Sequence, residues 1–327
     1  MTLVDSAMSD RLVTFRAMAT DITLRIVAPN DTADAALTAA QEVFTRVEQA
    51  CTRFNPDSPL MQANAQPRRW HPVPVECFDA LVAARDAHVR TEGLFDPRVL
   101  TTLTNLGYDK SLPFTRGPVA VSGEGTSTST PTRTRRRRRP WRPRFDDGRR
   151  AVMLGRDPVD LGGIGKGLAC TWAAAELRGG GRAALVEAGG DLEALGSGPE
   201  GEGWRVGVED PRGGPDPLAV LALHDAACAT SSTRIRKWTV NGKDVHHLID
   251  PRTGVPASSG LASVTVVAND TATAEVWSKV LFVTGRGQIR AKADQEGLAA
   301  MWIDYDGVVG TSRAMKPHVV WAATPGR

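Results

Sequence analysis

Between residues 160 and 167 the chain reads Asp-Leu-Gly-Gly-Ile-Gly-Lys-Gly, with Gly162, Gly163, Gly165 and Gly167 crowded around one lysine, Lys166. No other stretch limits the fold as tightly. Glycine lets a backbone approach a second backbone or a ligand. The Ala/Leu/Trp-rich run that follows reads as a helix, whose first N–H groups suit a phosphate. A tight loop packed on a sheet would call for the same glycines. Two phosphate loops are excluded by spacing. A Walker loop ending at Lys166 needs glycine at 160 and Ser or Thr at 167, where Asp160 and Gly167 stand. A dinucleotide fingerprint begun at Gly163 needs glycine at 168, which is Leu168.

Around this loop the periodicity alternates between two and about 3.6 residues. Ile22, Leu24 and Ile26 mark a strand over 15–28, and Ala36, Ala40, Val43, Val47 and Ala50 a helix over 33–54. Pro74 opens and Gly93 closes a second helix. Residues 204–208 and 218–223 pair as a hairpin, and Asn241-Gly242 turns a shorter one. A β-branched strand at 261–268 leads into a helix at 271–284 closed by Gly285. The last forty residues read as a helix and a strand pair, with a turn at Tyr305-Asp306-Gly307. Hairpins and amphipathic helices without a βαβ rhythm predict an α+β fold with antiparallel sheets and packed helices, in one domain over 1–327.

One segment stands apart. Residues 131–150 hold ten arginines and two aspartates, so the rest of the chain nets −5 within an overall +3. Residues 117–148, rich in Ser, Thr and Gly before Arg135 to Arg139, are expected to form a disordered, solvated insertion. A nucleic-acid tail would also use consecutive arginines, but no aromatic is interleaved with Arg133 to Arg139 and the tract lies mid-chain between folded segments, so nucleic acid is not the expected partner. Cys51, Cys77, Cys170 and Cys228 show no CxxC or zinc spacing. No apolar run approaches the ~18 residues of a membrane span, and no secretory h-region opens the chain, so a cytoplasmic protein is expected.

The sharpest chemical signal is His246-His-Leu-Ile-Asp-Pro-Arg-Thr-Gly254, which sets two histidines, an Asp, an Arg and a Thr on one turn. It offers a base, an anion ligand and hydroxyl donors together. Asp-Pro-x-x-Gly is also a common turn, in which the Asp caps backbone N–H groups.

Together with residues 160–167 this turn makes the chain resemble the ApbE family of FAD:protein FMN transferases. Further matches are Met18-Ala19-Thr20, Thr52-Arg53-Phe54-Asn55, Phe95-Asp96-Pro97, Leu185-Val-Glu-Ala-Gly-Gly-Asp191, Thr230-Ser-Ser232, Val264-Thr-Val266 and Ala274-Glu275 before Leu-Phe-Val-Thr-Gly285. They keep the family's order and span nearly the whole chain outside 117–148.

The resemblance implies a T-fold-related architecture with FAD in a cleft between the Gly-Lys loop and the His/Asp-Pro turn. It implies FAD contacts from Met18, Asn55, Phe95, Asp96, Gly163, Gly165 and Lys166 in the first half of the motif set. Gly189, Gly190, Asp191, Ser231, His247, Ile249 and Thr253 follow in the second. FMN passes from FAD to a Thr or Ser hydroxyl of an acceptor flavoprotein, and AMP leaves. Lys166, His247 and Asp250 fall at the catalytic end, with Lys166 adding positive charge and a base such as His247 taking the hydroxyl proton.

Magnesium in the family sits on the FAD pyrophosphate, held by a Gly-Lys loop carbonyl and by an Asp and a Thr spaced i, i+4. Those positions are Gly165, Glu275 and Lys279 here. Glutamate can ligate magnesium, whereas a protonated lysine repels it. Two outcomes follow: the Lys279 ammonium replaces the metal, or transfer is lost and a flavin-binding homologue remains. Ala19 is a milder departure, the family having Gly there.

Overall fold

A computed structural model describes residues 10–112, 114, 119–121 and 140–323. Its centre is an eight-stranded sheet whose spatial order equals its chain order. The strands are β1 (Arg11–Ala17), β2 (Thr20–Pro29), β3 (Gly181–Ala188) and β4 (Asp191–Leu195). They continue as β5 (Ala226–Ser232), β6 (Leu261–Ala268), β7 (Ala299–Asp304) and β8 (Val309–Thr311). Every neighbouring pair is antiparallel.

Alternating side chains divide the sheet between two cores. Ala184, Val266 and Ala300 face a helical layer, while their neighbours Ala183, Val267 and Ala299 point the other way. The helical layer contains α1 (Ala33–Cys51), α2 (Val75–Arg90), α3 (Gly165–Leu177) and α4 (Thr271–Thr284). The opposite face is covered by a three-stranded sheet of 204–209, 217–223 and 319–322, whose Trp204, Leu221 and Leu223 fill the second core. A third cluster sets Trp238 on Leu103 and Leu106. All four cysteines are buried and free. Among the described residues no helix is long and apolar enough to cross a membrane.

The expected strand over 15–28 is instead a hairpin, because Met18 (φ 50°) and Ala19 (φ 61°) turn the chain in the left-handed region. Neither residue type announces such a turn, so the sequence read as continuous β. Helix α1 stops at Cys51, before the Thr52–Phe54 loop. Within the segment expected to be disordered, both ends are built into the fold. Residues 119–121 pair in parallel with 238–240, residues 144–146 pair with 151–153, and Trp141 is buried with its indole N–H on Leu154 O. The core of that segment, 122–139, lies outside the described residues.

Candidate active site

A cavity of about 490 Å³ opens beside the first turn of α3. One wall is the Gly162–Lys166 loop, and a second is the His247–Ile249 turn. Met18 from the β1–β2 turn, Phe95 and Asp96 from the loop after α2, and Lys279 from α4 complete the lining. Met18 N–H donates to Glu48 Oε1 (3.0 Å), which anchors the left-handed turn to α1 where the two meet at the cavity. A strained backbone at such a place is a functional marker.

Close packing sets the Gly-Lys loop. A Cβ on Gly167 would lie 2.7 Å from Ala272 Cα and 2.8 Å from Thr271 O, so α3 can start against α4 only as glycine. Gly163 faces the cavity instead, where a Cβ would meet Phe95 Cε2 at 3.3 Å and the Lys279 stem at 3.6 Å. Asp160 Oδ1 accepts the Gly162 N–H (2.7 Å) and its carboxylate pairs with buried Arg53 (3.3 Å). The Arg53 guanidinium also stacks on Phe54 (4.3 Å) and Tyr108 (4.2 Å).

Charge is concentrated where α3 meets α4. Glu275 is buried, with Oε2 accepting the Gly167 N–H (2.8 Å) and Oε1 lying 3.1 Å from Lys279 Nζ and 3.6 Å from Lys166 Nζ. Burial opposes its charge, but the two ammonium groups and the Gly167 N–H outweigh that and hold the carboxyl down, at about 2. The Lys166 ammonium also contacts the Asp191 carboxylate. Burial lowers Lys166 to about 8 against the pull of Glu275, with Arg236 and Lys279 adding to the fall. It stays charged at neutral pH. Burial likewise lowers Lys279, against the opposing attraction of Glu275.

His247 is held well below its ordinary value by burial, then by the Arg236 and Lys279 cations. Its Nδ1 lies 3.3 Å from Arg236 O, which assigns the proton to Nδ1 and leaves Nε2 a free lone pair. The imidazole is therefore neutral and its Nε2 lone pair can receive a proton, while burial and the Arg236 and Lys279 cations make it a weaker base than a free histidine.

Of the residues expected at the site, Met18, Phe95, Asp96, Gly163, Gly165, Lys166, His247, Ile249 and Lys279 line the cavity. Asp191 and Glu275 reach it through the lysines. The others hold the frame. Gly189 (φ 59°) and Gly190 (φ 90°) form the β3–β4 turn, and a Cβ on Gly189 would sit 2.2 Å from Thr20 Oγ1. Ser231 Oγ bonds Ser278 Oγ (2.8 Å), tying β5 to α4. Asn55 is exposed and its Oδ1 accepts Asp57 N–H (3.0 Å).

Asp250, expected at the catalytic end, is a turn former. Its Oδ1 accepts Arg252 N–H (2.8 Å) and Nε (3.0 Å), its Oδ2 accepts Arg252 Nη2 (2.9 Å), and Thr253 Oγ1 bonds its carbonyl (3.4 Å). With both oxygens engaged it lies outside the cavity lining. Sequence reasoning passed over Arg53, Tyr108 and Arg236, which do line it. The first stood inside a quoted motif, but a charge in a turn reads as solvated.

The magnesium positions do not fit a divalent ion. Both Glu275 oxygens accept from protein donors, and the residue at the Thr position is an ammonium on a 3.1 Å bond. The ammonium groups of Lys166 and Lys279 already neutralise the Glu275 carboxylate that a divalent ion would need, and they would repel the ion. Among the described residues no cluster of three or more His, Cys, Asp or Glu could hold a metal.

The family model described as "ApbE family" matches residues 18–302. An FAD:protein FMN transferase of Klebsiella pneumoniae is 28% identical over 259 residues, 77% of this chain and 71% of that one. The one from Salmonella typhimurium is 33% identical over 151 residues, 46% of this chain, and the match spans only 43% of the relative's length. The crystal structure of the ApbE protein from Thermotoga maritima superposes with a TM-score of 0.76 at 27% identity, covering 95% of this chain and 99% of that one. The flavin transferase ApbE from Vibrio cholerae, at 22% identity, shares the fold with a TM-score of 0.74. With the family's motifs matched in order and the mixed antiparallel architecture in common, this chain belongs to the ApbE family.

Proposed function

We propose that this chain is an FAD:protein FMN transferase, acting as one domain with the arginine-rich segment as an insertion. The observation that carries the reading is the meeting of neutral His247 with Lys166, Lys279 and Arg236 at one Gly-lined cavity. A dinucleotide diphosphate finds cations and a close-approach backbone there, and an acceptor hydroxyl finds a base.

The acceptor is a Thr or Ser hydroxyl on a flavoprotein. Its oxygen attacks the phosphorus on the FMN side of FAD. The bond from that phosphorus to the bridging oxygen breaks, and AMP leaves with that oxygen. The hydroxyl proton passes to His247 Nε2, and the Nδ1–H to Arg236 O bond keeps the ring in the receiving tautomer. The cations stabilise charge on the phosphoryl oxygens without rearranging. No step passes through a metal.

The test is incubation with FAD and a threonine-bearing acceptor peptide, with AMP followed by chromatography and the peptide by mass. AMP release with an FMN-sized mass gain supports the reading, and His247→Gln should lower it by about 10²-fold or more. Tight FAD binding with no AMP and no labelled peptide, across several acceptors, would overturn it in favour of a flavin-binding protein.

A further inference from the structure

The two charged residues at the family's metal positions are bonded to each other, and Lys279 faces the cavity while Glu275 is buried behind it. Lys279 Nζ is 3.1 Å from Glu275 Oε1 and 3.4 Å from the Glu275 carbonyl one turn earlier in α4. Its stem runs alongside Gly163, and it lines the cavity with Lys166 and Arg236. Glu275 is itself pinned to Gly167 N–H, so the ammonium is held from below and open on the cavity side.

The charges come out in favour of an anion. Among the groups at this wall, Lys166, Lys279 and Arg236 stand over the carboxylates of Glu275 and Asp191 with His247 uncharged, so these five charges leave one positive charge in surplus. A diphosphate carries two negative charges. A magnesium ion added beside Glu275 would meet two ammonium groups and a carboxylate whose two oxygens are already engaged.

We infer that Lys279, positioned by Glu275, is the resident cation of the diphosphate subsite, so that this chain binds FAD without a divalent metal. The inference rests on the flavin reading of the cavity and deepens it. Glu275 is thereby a positioning residue: it holds the ammonium of Lys279 where an ion would otherwise be needed.

The experiment measures FAD binding to the full chain by flavin fluorescence and calorimetry, first in EDTA and then in millimolar magnesium. Riboflavin, which has no phosphate, is the control. The expected result is a wild-type Kd that agrees within about twofold in the two buffers. Lys279→Thr should weaken FAD by about tenfold or more in EDTA, recover part of that loss with magnesium, and leave riboflavin unchanged. Lys279→Arg, which keeps the charge, should stay near wild type, and matching thermal melts separate a binding loss from unfolding. Wild-type FAD binding that appears only with magnesium would overturn the inference while leaving the flavin reading intact. Equal loss of FAD and riboflavin in a folded Lys279→Thr protein would also overturn it. Failure of wild type to bind FAD or riboflavin in either buffer would sink the flavin reading itself.

Discussion

Glu275 Oε2 accepts the Gly167 N–H at 2.8 Å, which ties the middle of α4 to the first turn of α3. The bond spends the positive end of one helix on a carboxylate of another. The second oxygen of that carboxylate is left to the lysines. Helix packing and the charge pattern of the cavity therefore depend on one residue.

Replacing Glu275 by Gln should destabilise the fold by about 3 kcal/mol or more. The amide still accepts from Gly167, but Lys166 and Lys279 lose the charge between them, and breaking a buried ion pair costs about 3–5 kcal/mol. Urea unfolding with an unchanged m-value checks this. A midpoint equal to wild type would show that the ammonium groups are solvated and not neutralised by Glu275.

The two loop glycines should separate folding from binding. Gly167→Ala forces a Cβ into the α4 backbone, with Thr271 O at 2.8 Å, and overpacking of this kind costs about 1–3 kcal/mol. Gly163→Ala meets only the Phe95 edge and a flexible lysine stem. Its melting point should move little, while FAD affinity drops because the methyl occupies the cavity wall. Parallel melts and FAD titrations of the two variants read the contrast directly.

Acid should weaken the protein in a defined window. His247 and His246 are both lowered, by burial first in each case, and the unfolded chain protonates them near pH 6.5. Below that pH the unfolded state binds more protons than the folded one, so stability falls as pH falls. The slope is about 1.4 kcal/mol per pH unit for each histidine until its folded value is reached. Urea midpoints between pH 7 and pH 5 should show the loss, and His247→Gln should make the slope shallower. Because His247 is held well below its ordinary value, the acid limb of transfer activity should lie well below pH 6.5.

Much of this architecture could be read before any coordinates, and the failures share a cause. The helix at 271–284 and the strand at 261–268 were legible to the residue, because caps and β-branched runs are local signals. The loop and the His247 turn were legible because glycine and histidine are scarce and meaningful where they cluster. The Met18–Ala19 turn was not, since left-handed Met and Ala are held by Glu48 from a different element. Asp250 shows the converse: an Asp before Pro looks alike whether it serves substrate or its own turn, and here Arg252 takes both oxygens. Gly189 and Ser231, expected as FAD contacts, also serve the frame, through the close approach of Thr20 and the bond to Ser278.

Arg53 offers a test of a residue that stood inside a matched motif without being assigned to the site. It is buried against Asp160 at 3.3 Å, donates to the Tyr108 carbonyl, and stacks on Tyr108 and Phe54 at the cavity. Arg53→Met keeps length and apolar stem but leaves Asp160 buried and unpaired, which should cost about 3 kcal/mol. Adding Asp160→Asn removes the orphaned charge, and an Asn oxygen still accepts the Gly162 N–H. The double variant should therefore recover at least 1 kcal/mol, a coupling that a double-mutant cycle in urea resolves. FAD affinity should not recover with it, because the guanidinium is still missing from the cavity wall. Additive losses in the cycle would show that Arg53 and Asp160 act apart, with the arginine serving only as packing under the two rings.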